Sequence, residues 1–260
     1  MHNFEFVKPS SISDAVAALS GDEAQALGGG QTLIPTMKQR LASPNILVSL
    51  GGISEMSGIK ISAGKVEIGG ATTHAEVASA DVFDGLTILA GGIGDPAVRN
   101  RGTIGGSLAN NDPAACYPAA VLATGATITT NARDIASDDY FHGMFTTALE
   151  EGEIITCVGM PIPEVSNYQK FEQPASRFAL VGVFVAKYTN GVRVAVTGAS
   201  ESGVFRWSEA ESALNGDFSA GSLSNISLSA SDMIEDLHGS KEYRANLVKV
   251  LTGRAVSAAS

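Results

Sequence analysis

The segment from Ile93 to Ala115, IGDPAVRNRGTIGGSLANNDPAA, gathers four glycines, two arginines, three asparagines and a threonine. It shows neither a helical nor a strand period, so it is expected to lie outside the core. Glycine lets a backbone approach a ligand closely. Exposed N–H groups, together with Arg99 and Arg101, can meet phosphate, and Asn and Thr side chains can fix a polar head. These residues suit the cradling of a diphosphate. A second glycine cluster, ALGGGQTLIP from Ala26 to Pro35, follows a short apolar run and leads into the helix-like TMKQRLA. Alone, it reads equally well as a tight turn between strand and helix. Paired with the first segment, it points to a long ligand, a dinucleotide.

Other chemistry-bearing residues read as structural. His74, opening the helix-like TTHAEVAS, is expected to be a hydrogen-bonded structural histidine rather than a ligand or base, and His2, His142 and His238 are scattered. Asp138 and Asp139 form a solvated turn, and Glu150, Glu151 and Glu153 a charged turn before a strand. Arg99 and Arg101 have an alternative role, pinning their loop or meeting a partner subunit. The only cysteines, Cys116 and Cys157, lack CxxC spacing, so this chain alone builds neither a zinc site nor an iron–sulfur cluster.

The elements that must position these loops follow from local pattern. A strand at Phe4–Val7, a helix capped by Ser11 or Ser13, a strand at Ala24–Leu27, a helix at Leu33–Leu41 and a strand at Ile46–Leu50 make a small α/β unit over residues 1–53. A larger α/β unit over 54–165 begins with a strand at Lys65–Gly70 and a helix capped by Thr72 or Thr73. It continues through helices at Leu86–Ile93 and Cys116–Gly125, the β-rich ATITTN, and the strand IITCVGMPIP. From Phe178 two β-branched runs joined by Thr189, Asn190 and Gly191 signal a hairpin, so residues 166–260 read as an antiparallel sheet with helices. One helix is expected at Trp207–Leu214 and one at Lys241–Ala255, whose stripe Tyr243, Leu247, Val250 and Leu251 packs on the sheet. The fold class is therefore α+β, with a two-part α/β module followed by an antiparallel sheet.

Composition narrows the function. The net charge of −10 argues against nucleic acid, which needs clustered Lys and Arg to displace counterions. No apolar run reaches the roughly 18 to 20 residues of a membrane helix, and MHNFEFVKPSS lacks a signal-peptide pattern, so a cytoplasmic location is expected.

In order along the chain, FEFVKPSSISDAVAAL, GGGQTLIPTMKQRLASP, the Ile93–Ala115 segment, PASRFALVGVFVA and HGSKEYRANLVKVLTGRA resemble the FAD-binding medium subunit of the molybdenum hydroxylases, the carbon monoxide dehydrogenase and xanthine dehydrogenase family. The resemblance spans nearly the whole chain and implies a PCMH-type FAD-binding module, with the FAD diphosphate between the two glycine loops. It assigns Leu27, Gly28, Gly29, Gly30, Gln31, Thr32, Leu33 and Ile34 to one loop. Thr103, Ile104, Gly105, Gly106 and Ser107 form the other, meeting the diphosphate through N–H groups and hydroxyls. Ile93 and Phe178, with Ile154 or Ile155 nearby, match the positions beside the isoalloxazine, and Lys170 matches a family lysine. Cys116 stands where the family usually has an acidic residue after DPAA, which removes a polar contact to the cofactor.

The resemblance also implies partners: a molybdenum-binding large subunit and a [2Fe–2S] small subunit, assembled as a dimer of heterotrimers. Electrons would pass through the clusters to FAD on this chain and on to an external acceptor, and no catalytic acid–base residue or metal ligand is assigned here. Two alternatives remain at this point: a stand-alone flavin-dependent reductase or oxidase of the same fold, such as the enolpyruvyl-sugar reductase type, and a nucleotide-binding module without redox function. On the cradle reading, a β-branched residue at Gly105 or Gly106 excludes flavin by steric blockage.

Overall fold

The computed structural model describes residues 1–259. Three main sheets follow one another along the chain. In the first, β1 (Glu5–Val7), α1 (Ile12–Leu19), β2 (Ala24–Leu27), α2 (Leu33–Lys38) and β3 (Ile46–Ser49) make a parallel sheet with β3 in the middle. Ser11 caps α1 by accepting the Asp14 N–H. α2 stops at Lys38, short of the expected Leu41, because Arg40 turns to φ +62°, a left-handed conformation no helix continues through.

The second sheet collects β4 (Ile59–Ser62), β5 (Lys65–Gly69) and, after a block of helices, β6 (Thr127–Thr130), β7 (Asp134–Ala136) and β10 (Ile155–Pro161). Every pair in it is antiparallel, in the order β4-β5-β10-β6-β7. The helices between β5 and β6 are α3 (His74–Ser79), α4 (Asp84–Gly91), α5 (Pro96–Arg99), α6 (Ile104–Asn110) and α7 (Tyr117–Thr124), and a small ribbon of β8 (Phe141–Gly143) and β9 (Thr146–Thr147) precedes β10. α3 begins in a capping box in which Thr73 and Glu76 satisfy each other's backbone N–H.

The glycine-rich segment corrects its own sequence reading. It holds α5 and α6, and Ile104 and Leu108, one helical turn apart, are fully buried in the central core. Asp95 and Thr103 cap these short helices by accepting the Val98 and Gly106 N–H groups. The helical period was hidden because only two apolar positions fit within so short an element.

The third sheet runs β11 (Val165–Glu172), β12 (Ala179–Tyr188), β13 (Gly191–Thr197) and β14 (Phe205–Arg206), all antiparallel, with α8 (Ser208–Gly216) and α9 (Lys241–Ala259) behind it. β12 is buried along most of its length because both faces are covered: Val181, Val183 and Val185 face α8 and α9, while Phe184 and Ala186 join the core around α4 and α7. β11 gave no apolar signal, yet Ser166, Asn167 and Tyr168 are buried there, and Ser166 accepts the Gly85 N–H of α4. The stripe expected on α9 is half right. Leu247 and Leu251 are buried, but Tyr243 and Val250 stay partly exposed and the buried face turns instead toward Arg244, Val248, Ala255 and Val256. Arg244 can lie there because its guanidinium donates to the Leu180 and Gly198 carbonyls and to Asp236.

Candidate cofactor cleft

A cleft of about 700 Å³ lies where the three sheets meet. The loop from β2 to α2 and the α5–α6 segment line it side by side, and Gly70, Ala71, Ile154, Ile155 and Ser176 to Phe178 complete the lining. Of the residues assigned from sequence, Leu27 to Leu33, Ile93, Thr103, Gly105, Gly106, Ser107, Cys116, Ile154 and Phe178 line the cleft. Ile34, Ile104 and Lys170 do not. Ile34 lies under its own loop, with its side chain against the Cα of Gly30. Ile104 is core, and the Lys170 ammonium donates to the Gly92 and Arg177 carbonyls, 2.7 Å each.

The backbone donors of the two glycine segments differ. Among the described residues, the N–H groups of Gly29, Gly30, Gln31, Thr32 and Leu33 have no acceptor. In the second segment Ile104 donates to Thr72, Gly105 to Gly70, Gly106 to the Thr103 hydroxyl and Ser107 to the Thr103 carbonyl, at 2.9–3.1 Å. Those N–H groups already have acceptors within the protein.

The glycines themselves explain why. A Cβ on Gly29 would strike the Arg101 carbonyl, one on Gly28 would sit 2.9 Å from the Thr103 hydroxyl, and one on Gly105 would strike the Gly70 carbonyl. These glycines let protein backbones touch each other. Gly106 is different: a Cβ there meets only Thr103 Oγ1, at 3.0 Å, and otherwise faces the open cleft. Gly30 needs its φ of +72° to turn the first loop.

Neither expected arginine lines the cleft. Arg99 donates through Nη1 to the Ile93 and Gly94 carbonyls, so the loop-pinning alternative holds for it, and Arg101 is exposed. Negative charge on a ligand would be met by the free N–H run and the start of α2.

Sequence reasoning did not assign the polar residues Gln25, Thr36, His74, Glu153, Ser176 and Arg177 to the cleft wall. His74 is 5 % exposed and packs against Tyr117, ring centroids 5.3 Å apart and planes tilted by 44°. Its Nδ1 has no partner among the described residues, against the expected hydrogen bond, while its backbone N–H holds the Gly102 carbonyl. Burial, helped by the Arg99 charge, pulls its pKa down to about 4, so the ring is neutral at neutral pH. Glu153 is no solvated turn residue. Its carboxylate accepts from Arg133 at 2.9 and 3.0 Å and from Thr130, and the Arg133 partner holds its pKa below the usual range. Asp138 does behave as a surface charge, pairing with Arg193 and Arg206. Cys116 is 5 % exposed, and burial pushes its thiol pKa up, so a neutral thiol stands at the position the resemblance makes acidic. Among the described residues no cluster of His, Cys, Asp and Glu could hold a metal ion.

Residues 2–163 match the family described as the FAD binding domain in molybdopterin dehydrogenase. The chain belongs to that family. It is 34% identical over 270 residues to the nicotine 6-hydroxylase medium subunit of Paenarthrobacter nicotinovorans, covering 96% of this chain and 95% of that one. To the carbon monoxide dehydrogenase medium chain of Afipia carboxidovorans it is 38% identical over 202 residues, 73% of this chain and 70% of the relative. Among solved structures, reconstituted CO dehydrogenase from Oligotropha carboxidovorans superposes with a TM-score of 0.88 at 30% identity, over 99% of this chain and 98% of that one. Quinoline 2-oxidoreductase from Pseudomonas putida 86 gives 0.85 at 28% identity, over 99% and 97%. The family is one of oxidoreductase subunits, and the α+β architecture read from sequence is the one these structures share.

The cleft fits the family's cofactor on its own geometry. It combines a volume in the range of ligand sites, a run of free N–H donors, apolar Ile93, Ile154 and Phe178 in its lining, and an unblocked Gly106.

Proposed function

We propose that this chain is the FAD-binding electron-transfer subunit of a heterotrimeric molybdenum hydroxylase. The observation that carries the reading is the run of partnerless N–H groups from Gly29 to Leu33 in the lining of a cleft that also carries apolar Ile93, Ile154 and Phe178. In this reading those N–H groups, with the Thr32 and Ser107 hydroxyls, bind the diphosphate, and Ile93, Ile154 and Phe178 pack the flavin ring and keep water from it. FAD, when bound, supplies the two-electron chemistry. The chain's own work is to hold, orient and shield. In this reading the molybdenum centre and the [2Fe–2S] clusters belong to large and small partner subunits. Electrons arrive from the clusters and leave to an external acceptor. The reading includes division near residues 53 and 165, a dimer of heterotrimers and a cytoplasmic location.

The test is spectroscopic. Purified chain mixed with FAD, and chain co-expressed with its partners, are examined for flavin absorbance and for the nucleotide released by acid. FAD recovered in stoichiometric amount supports the reading, and a complex that assembles without flavin refutes it.

A further inference from the structure

Beside Ile93 and Gly94 of the cleft lining, three consecutive carbonyl groups are held by cations. Lys170 Nζ donates to Gly92 O at 2.7 Å, and Arg99 Nη1 donates to Ile93 O at 3.1 Å and to Gly94 O at 2.9 Å. Lys170 is nearly buried, its side chain 8 % exposed, and its second hydrogen bond, to Arg177 O, ties this turn to the loop carrying Phe178. Glu172, at 3.8 Å, is its carboxylate neighbour, and Asp95 is engaged in capping Val98. The turn needs such support because Gly94 adopts φ +50° and packs on Val98, leaving its shape to hydrogen bonds from outside.

The consequence lies on the other side of the turn. In a trans peptide the N–H points opposite to its carbonyl. With the Ile93 carbonyl turned to Arg99, the Gly94 N–H points away from that arginine, and among the described residues it has no acceptor. Ile93 and Gly94 both line the cleft.

We infer that Arg99 and Lys170 are positioning residues for the cofactor: by holding the carbonyls of Gly92, Ile93 and Gly94 they aim the Gly94 N–H and the Ile93 side chain at the flavin, and so raise its reduction potential. This inference rests on the FAD reading above. A fixed N–H dipole costs no reorganisation when negative charge develops on the reduced ring, and charge-assisted hydrogen bonds of this kind hold a turn more firmly than neutral ones.

The experiment measures the midpoint potential of FAD on the full chain, by equilibration with a reference dye, for the parent, Arg99→Met, Arg99→Lys and Lys170→Met. Arg99→Met is expected to weaken binding of reduced relative to oxidised FAD about tenfold, a fall of about 30 mV for a two-electron couple. Arg99→Lys, which keeps a cation within reach of the turn, restores most of that shift. Lys170→Met shifts the potential in the same direction and also speeds FAD loss, because the Phe178 loop is released. If Arg99→Met fails to fold, as read by circular dichroism, the decision falls on Lys170→Met against the parent. Potentials equal to the parent's in the folded Met variants overturn the inference. A parent chain that takes up no FAD, alone or with partners, overturns the cofactor reading instead.

Discussion

The loop from Gly28 to Leu33 and the segment from Arg101 to Ser107 are both glycine-rich and lie against each other in the wall of one cleft, yet they use glycine for different ends. In the first, the chain leaves five consecutive N–H groups without partners among the described residues. In the second, each N–H from Ile104 to Ser107 is bonded to protein, and Gly105 is packed against the Gly70 backbone. One loop is open to a ligand, and the other joins the α6 region to the central sheet and to the first loop. Glycine content alone therefore does not mark a binding loop; what its backbone donors already hold does.

The largest test of this contrast is Gly105→Val. Its side chain would meet the Gly70 backbone, so the expected result is a loss of more than about 3 kcal/mol in urea unfolding, with flavin lost as a secondary effect. Near-parental stability would place Gly105 with the ligand-facing glycines instead. His74 buttresses the same segment through Gly102, and its effect depends on pH. Its folded pKa of about 4 lies below the unfolded 6.5, so the unfolded chain takes up the proton first. Stability therefore falls as pH drops from 6.5 toward 4, by on the order of 3 kcal/mol, and is unaffected by this group above 6.5. His74→Gln should flatten that part of the stability profile, while leaving flavin content at neutral pH largely unchanged.

Gly106→Val sharpens the comparison further. With only Thr103 Oγ1 close by, the fold should hold within about 1 kcal/mol, while a side chain entering the cleft weakens FAD binding roughly a hundredfold by titration. Stability lost in proportion to binding would put Gly106 among the packing glycines. The smallest effect expected is that of Thr103→Ala, which removes the α6 cap: about 1 kcal/mol in thermal unfolding, with FAD affinity changed only slightly if the first loop supplies the diphosphate donors.

Much of this was legible beforehand, for identifiable reasons. The β12–β13 hairpin carries long β-branched runs around a Thr189–Asn190 turn, and α1 and α3 carry Ser and Thr caps, so local chemistry alone specified them. β11 was not legible: its buried Ser166 and Asn167 are polar, and only α4 and α9 packing against it make them interior. The cleft residues Leu27 to Leu33, Thr103 and Gly105 to Ser107 announced themselves through glycine. His74 and Glu153 did not, since their place in the wall depends on contacts between strands and helices far apart in sequence.

The sequence by itself determined the order of elements, the two glycine segments, the absence of a metal-ligand spacing and the resemblance to the family, because each rests on residues close together in the chain. Only the tertiary structure decided which glycine segment keeps its donors free, where Arg99 and Lys170 spend their charge, and which face of α9 is buried. Arg99 bonds within its own turn, but Gly105 and Ile104 answer to Gly70 and Thr72, Lys170 to Gly92 and α9 to the third sheet, and no local pattern encodes the identity of such distant partners.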